Sequence, residues 1–161
     1  MSRTYSQKMD LDSGVVLEEK HERDGRLHRE NGPALVRRHA GTGRVLLESY
    51  YNDGRLHRDY GPALIGYYLS GAIQAEEWYH HGFKHRNAIH GPAEIERASD
   101  GAVTLECYFR NGEMFRDPAE GPCLIGRSEN GEIEHEQYSD GPDGAPSLRA
   151  RSPRRSTATP P

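Results

Sequence analysis

Between Ala102 and Arg110 apolar and polar residues alternate. Val103, Leu105, Cys107 and Phe109 fall on one face, and Thr104, Glu106, Tyr108 and Arg110 on the other. A period of two predicts a β-strand with one buried side. Helical periodicity is absent from the segments between turn signals. Asp24-Gly25, Asp53-Gly54, His81-Gly82 and Asn111-Gly112 punctuate one set of hairpins. Gly43, Ser70-Gly71, Asp100-Gly101 and Asn130-Gly131 punctuate another. Asp-Gly and Asn-Gly favour hairpins because both central residues of a type I′ turn need positive φ. The pattern predicts an all-β chain.

The hairpins repeat. Gly32-Pro33-Ala34, Gly61-Pro62-Ala63, Gly91-Pro92-Ala93 and Gly121-Pro122-Cys123 place their glycines 29, 30 and 30 residues apart, the signature of a repeat protein. Each Gly-Pro is followed by a turn glycine and then by Glu48, Glu76, Glu106 or Glu136. Two places on stands an aromatic: Tyr50, Trp78, Tyr108 or Tyr138. Proline lacks an N–H and interrupts a ladder, so the long strand between turns is expected to bend at each Gly-Pro, where the glycine supplies backbone freedom. Ala34 and Val36, Ala63 and Ile65, Ala93 and Ile95, and Cys123 and Ile125 read as a stacked interior column. The expected architecture is an elongated antiparallel β-meander or solenoid of four repeats, with about nine strands in a single twisted sheet. A closed barrel is the alternative. Residues 1–10 read as an N-terminal flank, 11–141 as the repeat domain and 142–161 as a tail.

Composition supports a thin structure. Hydrophobic residues make up 34% of the 161, too few for a large globular core. Net charge is −4, but four arginines against Asp143 give the tail +3 and leave −7 on the body. An acidic body argues against nucleic-acid binding, except weakly through the tail, because phosphate neutralisation needs a basic face. The tail is Pro/Ser/Arg-rich and is expected to be disordered. No apolar run approaches the length of a membrane span, and Met1–Tyr5 lacks a signal-peptide core, so a cytoplasmic location is expected. Cys107 and Cys123 read as small buried thiols rather than a disulfide framework.

The stretches Tyr50-Tyr51-Asn52-Asp53-Gly54-Arg55-Leu56-His57 and Tyr108-Phe109-Arg110-Asn111-Gly112 resemble MORN and MORN-variant repeats, in which aromatics precede an Asn-Gly hairpin. The longer unit, Gly-x-x-His-Arg-x-x-Gly-Pro-Ala, is similar to repeats of uncharacterised bacterial and phage proteins. The resemblance implies an elongated sheet that serves as a scaffold for protein or lipid contacts. Some bacterial variant proteins carry the label antitoxin, so an inhibitor, immunity or antitoxin role is implied as well. A self-assembling structural element and a membrane-surface adaptor are the alternatives.

Two rows carry candidate chemistry. Arg29, Arg58, Arg86 and Arg116 follow His28, His57, His85 and Phe115. Neighbouring residues on a strand point to opposite faces, so each His and Arg act on different sides. The arginines are expected to face Glu48, Glu76, Glu106 and Glu136 in cross-strand ion pairs, or else to hold an acidic or phosphorylated partner. Tyr50, Trp78, Tyr108 and Tyr138 share the glutamate face, as inter-repeat stacking or as a binding surface. These eight arginines and aromatics are the partner-binding candidates. Gly32, Pro33, Gly61, Pro62, Gly91, Pro92, Gly121 and Pro122 are structural. His80, His81, His85 and His90 form the densest histidine cluster, but His80 and His81 flank a turn with no cysteine near, and no metal or cofactor is expected. No nucleophile elbow, phosphate loop or other catalytic motif is present, so the chain reads as a non-enzymatic scaffold for a protein partner.

Overall fold

Turn residues cut this chain into strands so short that each pairs with its immediate neighbours. The computed structural model describes residues 1–139; the tail expected over 142–161 lies outside them. One antiparallel sheet contains β1 (Arg3–Met9), β2 (Val16–Arg23), β3 (Leu35–Arg38), β4 (Val45–Ser49), β5 (Leu64–Tyr67), β6 (Ile73–Glu77), β7 (Glu94–Arg97), β8 (Val103–Cys107), β9 (Leu124–Arg127) and β10 (Ile133–Gln137). These strands run through the sheet in sequence order, so the fold is an all-β meander, open between β1 and β10. The barrel alternative falls. The N-terminal stretch set apart from the repeats supplies β1, and Gln7 faces Glu19 there as Val36 faces Glu48 further on.

The long strand expected to bend at Gly-Pro is instead two strands. Arg55–Leu56 pairs with Tyr51–Asn52 in a small hairpin of its own, β5 starts at Leu64, and residues 57–63 belong to no strand. Pro62 has no N–H to offer, and Gly61 sits at φ 105, far from extended backbone. Tyr79–His80 with Phe83–Lys84, and Phe109–Arg110 with Glu113–Met114, repeat this small hairpin. In the first copy Arg26–Leu27 pairs directly with the end of β2.

The two sets of turns also differ. Asn111 and Gly112 have φ of 53 and 89, as type I′ requires, and Asp24, Asp53 and His81 are positive too. In the other set only the glycine is positive. The Gly71 N–H donates to the Tyr68 carbonyl at 2.9 Å, and the Tyr68 N–H to the Ala72 carbonyl at 2.9 Å. That is a type I turn closed by a bulge at glycine, so Asp100-Gly101 and Asn130-Gly131 do not form the I′ turn that their letters suggest.

Burial is shallow. Ala34, Ala63, Ala93 and Cys123 are the deepest positions, each fully enclosed, and make the interior column that the sequence indicates. On the opposite face Leu35, Leu64, Glu94 and Leu124 occupy equivalent places in the register. Glu94 thus stands where three other repeats keep leucine, and Lys84 stands where they keep Leu27, Leu56 and Met114. The Lys84 ammonium lies 2.8 Å from Glu77 and 2.7 Å from Glu94. Burial pulls its proton affinity down, but the two carboxylates more than offset this and hold it above the ordinary lysine range. A raised value in the folded state means that this stabilisation is complete below about pH 10.4 and is lost only as the pH rises further.

Lys84→Met strands two carboxylates side by side and is expected to cost about 2 kcal/mol, less than a fully buried pair would. Adding Glu94→Leu rebuilds the contact of the other repeats and should recover most of the loss in urea melts. No recovery would show that the charged triad is not a replacement for that contact.

Candidate functional site

The aromatic row begins one residue beyond each second strand. The Tyr50, Trp78 and Tyr108 N–H groups donate to the carbonyls of Ala63, Ala93 and Cys123 at 2.7, 2.8 and 2.8 Å. Over each ring lies the arginine of the same repeat. The guanidinium carbon of Arg58 is 3.8 Å from the Tyr50 centroid, Arg86 is 3.9 Å from Trp78, and Arg116 is 4.1 Å from Tyr108. The same arginines reach back over their own connection. Nη1 of Arg29, Arg58, Arg86 and Arg116 donates to the carbonyls of Pro33, Pro62, Pro92 and Pro122 at 3.2, 3.1, 3.0 and 3.3 Å. A side chain on Gly61 would place its Cβ 3.3 Å from the Arg58 guanidinium. Glycine is therefore required twice, for its φ and for the cation packed against it.

The Arg and Glu rows do not meet as expected. Glu19, Glu76 and Glu106 pair instead with Arg38, Arg97 and Arg127, the last two at 3.2 and 3.3 Å. Glu48 accepts from the Tyr67 hydroxyl at 3.0 Å. The register explains the change: Glu19, Val36, Glu48, Ile65, Glu76, Ile95, Glu106, Ile125 and Glu136 form one row across the sheet. Arg38, Tyr67, Arg97 and Arg127 stand two places beyond Val36, Ile65, Ile95 and Ile125, on the same face. Counting by twos from those apolar residues finds them in the sequence. Arg29, Arg58, Arg86 and Arg116, held by ring and carbonyl, have no carboxylate at ion-pairing distance among the described residues. Tyr138 is half-buried and has no such cation over it among those residues.

The histidines make different contacts from the arginines beside them, although each His-Arg pair lies just past the small hairpin rather than on a strand, so strand alternation is not the cause. Nδ1 of His28, His57 and His85 accepts from the backbone N–H of Asp53, His81 and Asn111 at 3.2, 3.2 and 3.1 Å. Each is the left-handed turn residue of the following hairpin, so the imidazole brackets one repeat to the next. Burial and the neighbouring His81 push the His57 imidazole below its ordinary value, against the pull of Asp59 at 3.2 Å. Of the expected histidine cluster, His80 and His81 do lie together, beside His57 rather than His90; the His85 ring is 6.2 Å from that of His80. Cys107 and Cys123 are both buried as free thiols, and burial pushes Cys107 up to about 12.

Between the connection that follows Lys84 and the hairpin and connection of the fourth repeat runs a groove of about 440 Å³, lined by Arg86, Arg110, Arg116, Phe109 and Phe115 among others. Arg110 lies 3.8 Å over the Phe115 ring. No helix among the described residues is long and apolar enough to cross a membrane. No protein-family model, curated protein or solved structure matches the chain.

The stack at Gly61 makes a direct prediction. Gly61→Val meets both an adverse φ and the Arg58 guanidinium, and should cost about 2–3 kcal/mol. Pro62→Ala keeps the accepting carbonyl and should cost well under half of that. Thermal melts that leave Gly61→Val unchanged would contradict this account of the connection.

Proposed function

We propose that this chain is a non-enzymatic β-repeat scaffold that binds an acidic protein partner across successive repeats. What supports the reading is the row of Arg29, Arg58, Arg86 and Arg116. Each guanidinium is fixed by a proline carbonyl, three of them also by a ring, and none is neutralised by a carboxylate of the described chain. Arg38, Arg97 and Arg127 on the main-sheet strands are each paired with a glutamate. A cation held rigid before binding loses little entropy when a carboxylate or phosphate arrives, and charge-assisted bonds are the strong ones. Repetition at one spacing lets a single partner engage several repeats. An inhibitor, immunity or antitoxin-type role is one form that such binding would take, by analogy with the bacterial MORN-variant proteins that carry the label antitoxin.

Arg58→Met/Arg86→Met keeps bulk over Tyr50 and Trp78 and removes two charges. Capture from the native host should retain an acidic partner on the wild type, sensitive to salt, and weaken it at least about tenfold on the variant. Equal retention by a variant with unchanged melting would refute the reading.

Self-assembly is the second reading, favoured by the open edges. All seven residues of β1 are exposed; that strand carries Arg3 and Lys8, while β10 carries Glu134 and Glu136. Light scattering should then show mass rising with concentration. A constant monomer removes this reading.

A further inference from the structure

One junction in the array departs from the others in a chemically specific way. At each junction a histidine accepts a hydrogen bond from the residue before the turn glycine of the next hairpin. His28 accepts from the Asp53 N–H and His85 from the Asn111 N–H. His57 meets His80 and His81. Asp or Asn holds the left-handed position of this turn in the other repeats, whereas here it is a histidine at φ 49, with a second histidine beside it. Local departures of this kind gather at functional sites.

We propose that His57, His80 and His81 form a site for a divalent transition-metal ion of the zinc, nickel or copper type. One ring nitrogen from each lies within 4.8 Å of the others. Imidazole suits these metals, and the harder oxygen-seeking ions gain nothing from it. Asp59 Oδ1 lies 3.2 Å from His57 Nε2, which leaves Nδ1 toward the cluster. A carboxylate behind a ligating imidazole is the arrangement that fixes its tautomer and raises its basicity.

Three nitrogens around a tetrahedral ion with bonds of 2.0–2.1 Å stand about 3.3 Å apart, so the rings must close in. His80 and His81 are exposed and free to turn about their side-chain bonds. The parallel stack of His81 on His57, 4.3 Å between centroids, opens as they do, because face-to-face rings cannot aim their in-plane lone pairs at one ion. His57 Nδ1 then exchanges the His81 N–H for the metal. His85, beside His80, is a fourth donor within reach.

The test uses the full chain without an affinity tag and titrates Zn²⁺ and Ni²⁺ by calorimetry. One equivalent should bind at micromolar protein, and the same ions should raise the melting temperature. His80→Arg/His81→Asn copies the fourth repeat, whose small hairpin has the same pairing, and should abolish binding while leaving the apo melting curve in place. Asp59→Asn should weaken binding by about tenfold. His39→Asn, outside the cluster, should bind as the wild type does. No binding by the wild type, or undiminished binding by His80→Arg/His81→Asn, overturns the proposal.

Discussion

A guanidinium clamped between an aromatic ring and a proline carbonyl is the contact on which this fold depends. A single-layer sheet has no second layer to cover its residues, so burial must come from what each repeat folds back onto itself. Arg58 does this for Tyr50, whose N–H donates to the carbonyl of the buried Ala63 just past Gly61-Pro62. The arginine's flat face shields the ring, and its Nη1 satisfies a carbonyl that would otherwise lack a partner. Ala63 must be small, Gly61 must lack a Cβ, and the connection must leave the sheet. The repeat signature is one contact viewed from four sequence positions.

Fold and site were legible to different depths. Strand alternation and turn glycines gave the meander and the alanine column, because both obey local rules with short periods. The Gly-Pro position was visible, but its effect was underestimated. Local rules call for a bend there, whereas the Arg58 contact turns seven residues away from the ladder. Asp100-Gly101 failed for a related reason, since the letters of an I′ turn are also compatible with a type I turn and bulge. The rows went wrong where register was needed. Alternation places Glu106 and Tyr108 on one face, yet only the pairing of β8 with β9 brings Arg127 rather than Arg116 to Glu106. The His57 cluster joins residues from two repeats and carries no spacing that a single stretch could reveal.

Departures from the pattern concentrate in the third repeat. Lys84 and Glu94 replace apolar residues and His80-His81 replaces the usual turn pair, whereas the longer path to Gly91, which holds a short 3-10 turn at Ala88–His90, is matched in length by the fourth repeat. Each change is compatible with the sheet, since β6 and β7 keep the register of their counterparts. The fold tolerates them because repeats contact only their neighbours and local terms add.

At the two ends of the described array, other groups take up bonds that a neighbouring repeat supplies inside it. Inside it, the N–H groups of Arg29, Arg58 and Arg86 donate to the carbonyls of Tyr51, Tyr79 and Phe109 in the following hairpin. Arg116 has no following hairpin among the described residues, and its N–H donates to the Ser139 hydroxyl at 3.3 Å. Phe115 stands where an imidazole would otherwise seek the next turn. At the start, Asp24 donates its N–H to Ser2 and accepts the Ser2 N–H through its carboxylate. Side chains and a terminal residue thus take over bonds that another repeat would supply. A second copy docking head to tail would find these hairpin bonds already satisfied and would gain only the β1 and β10 edges. Stacking copies head to tail would therefore add little hydrogen bonding beyond those edges.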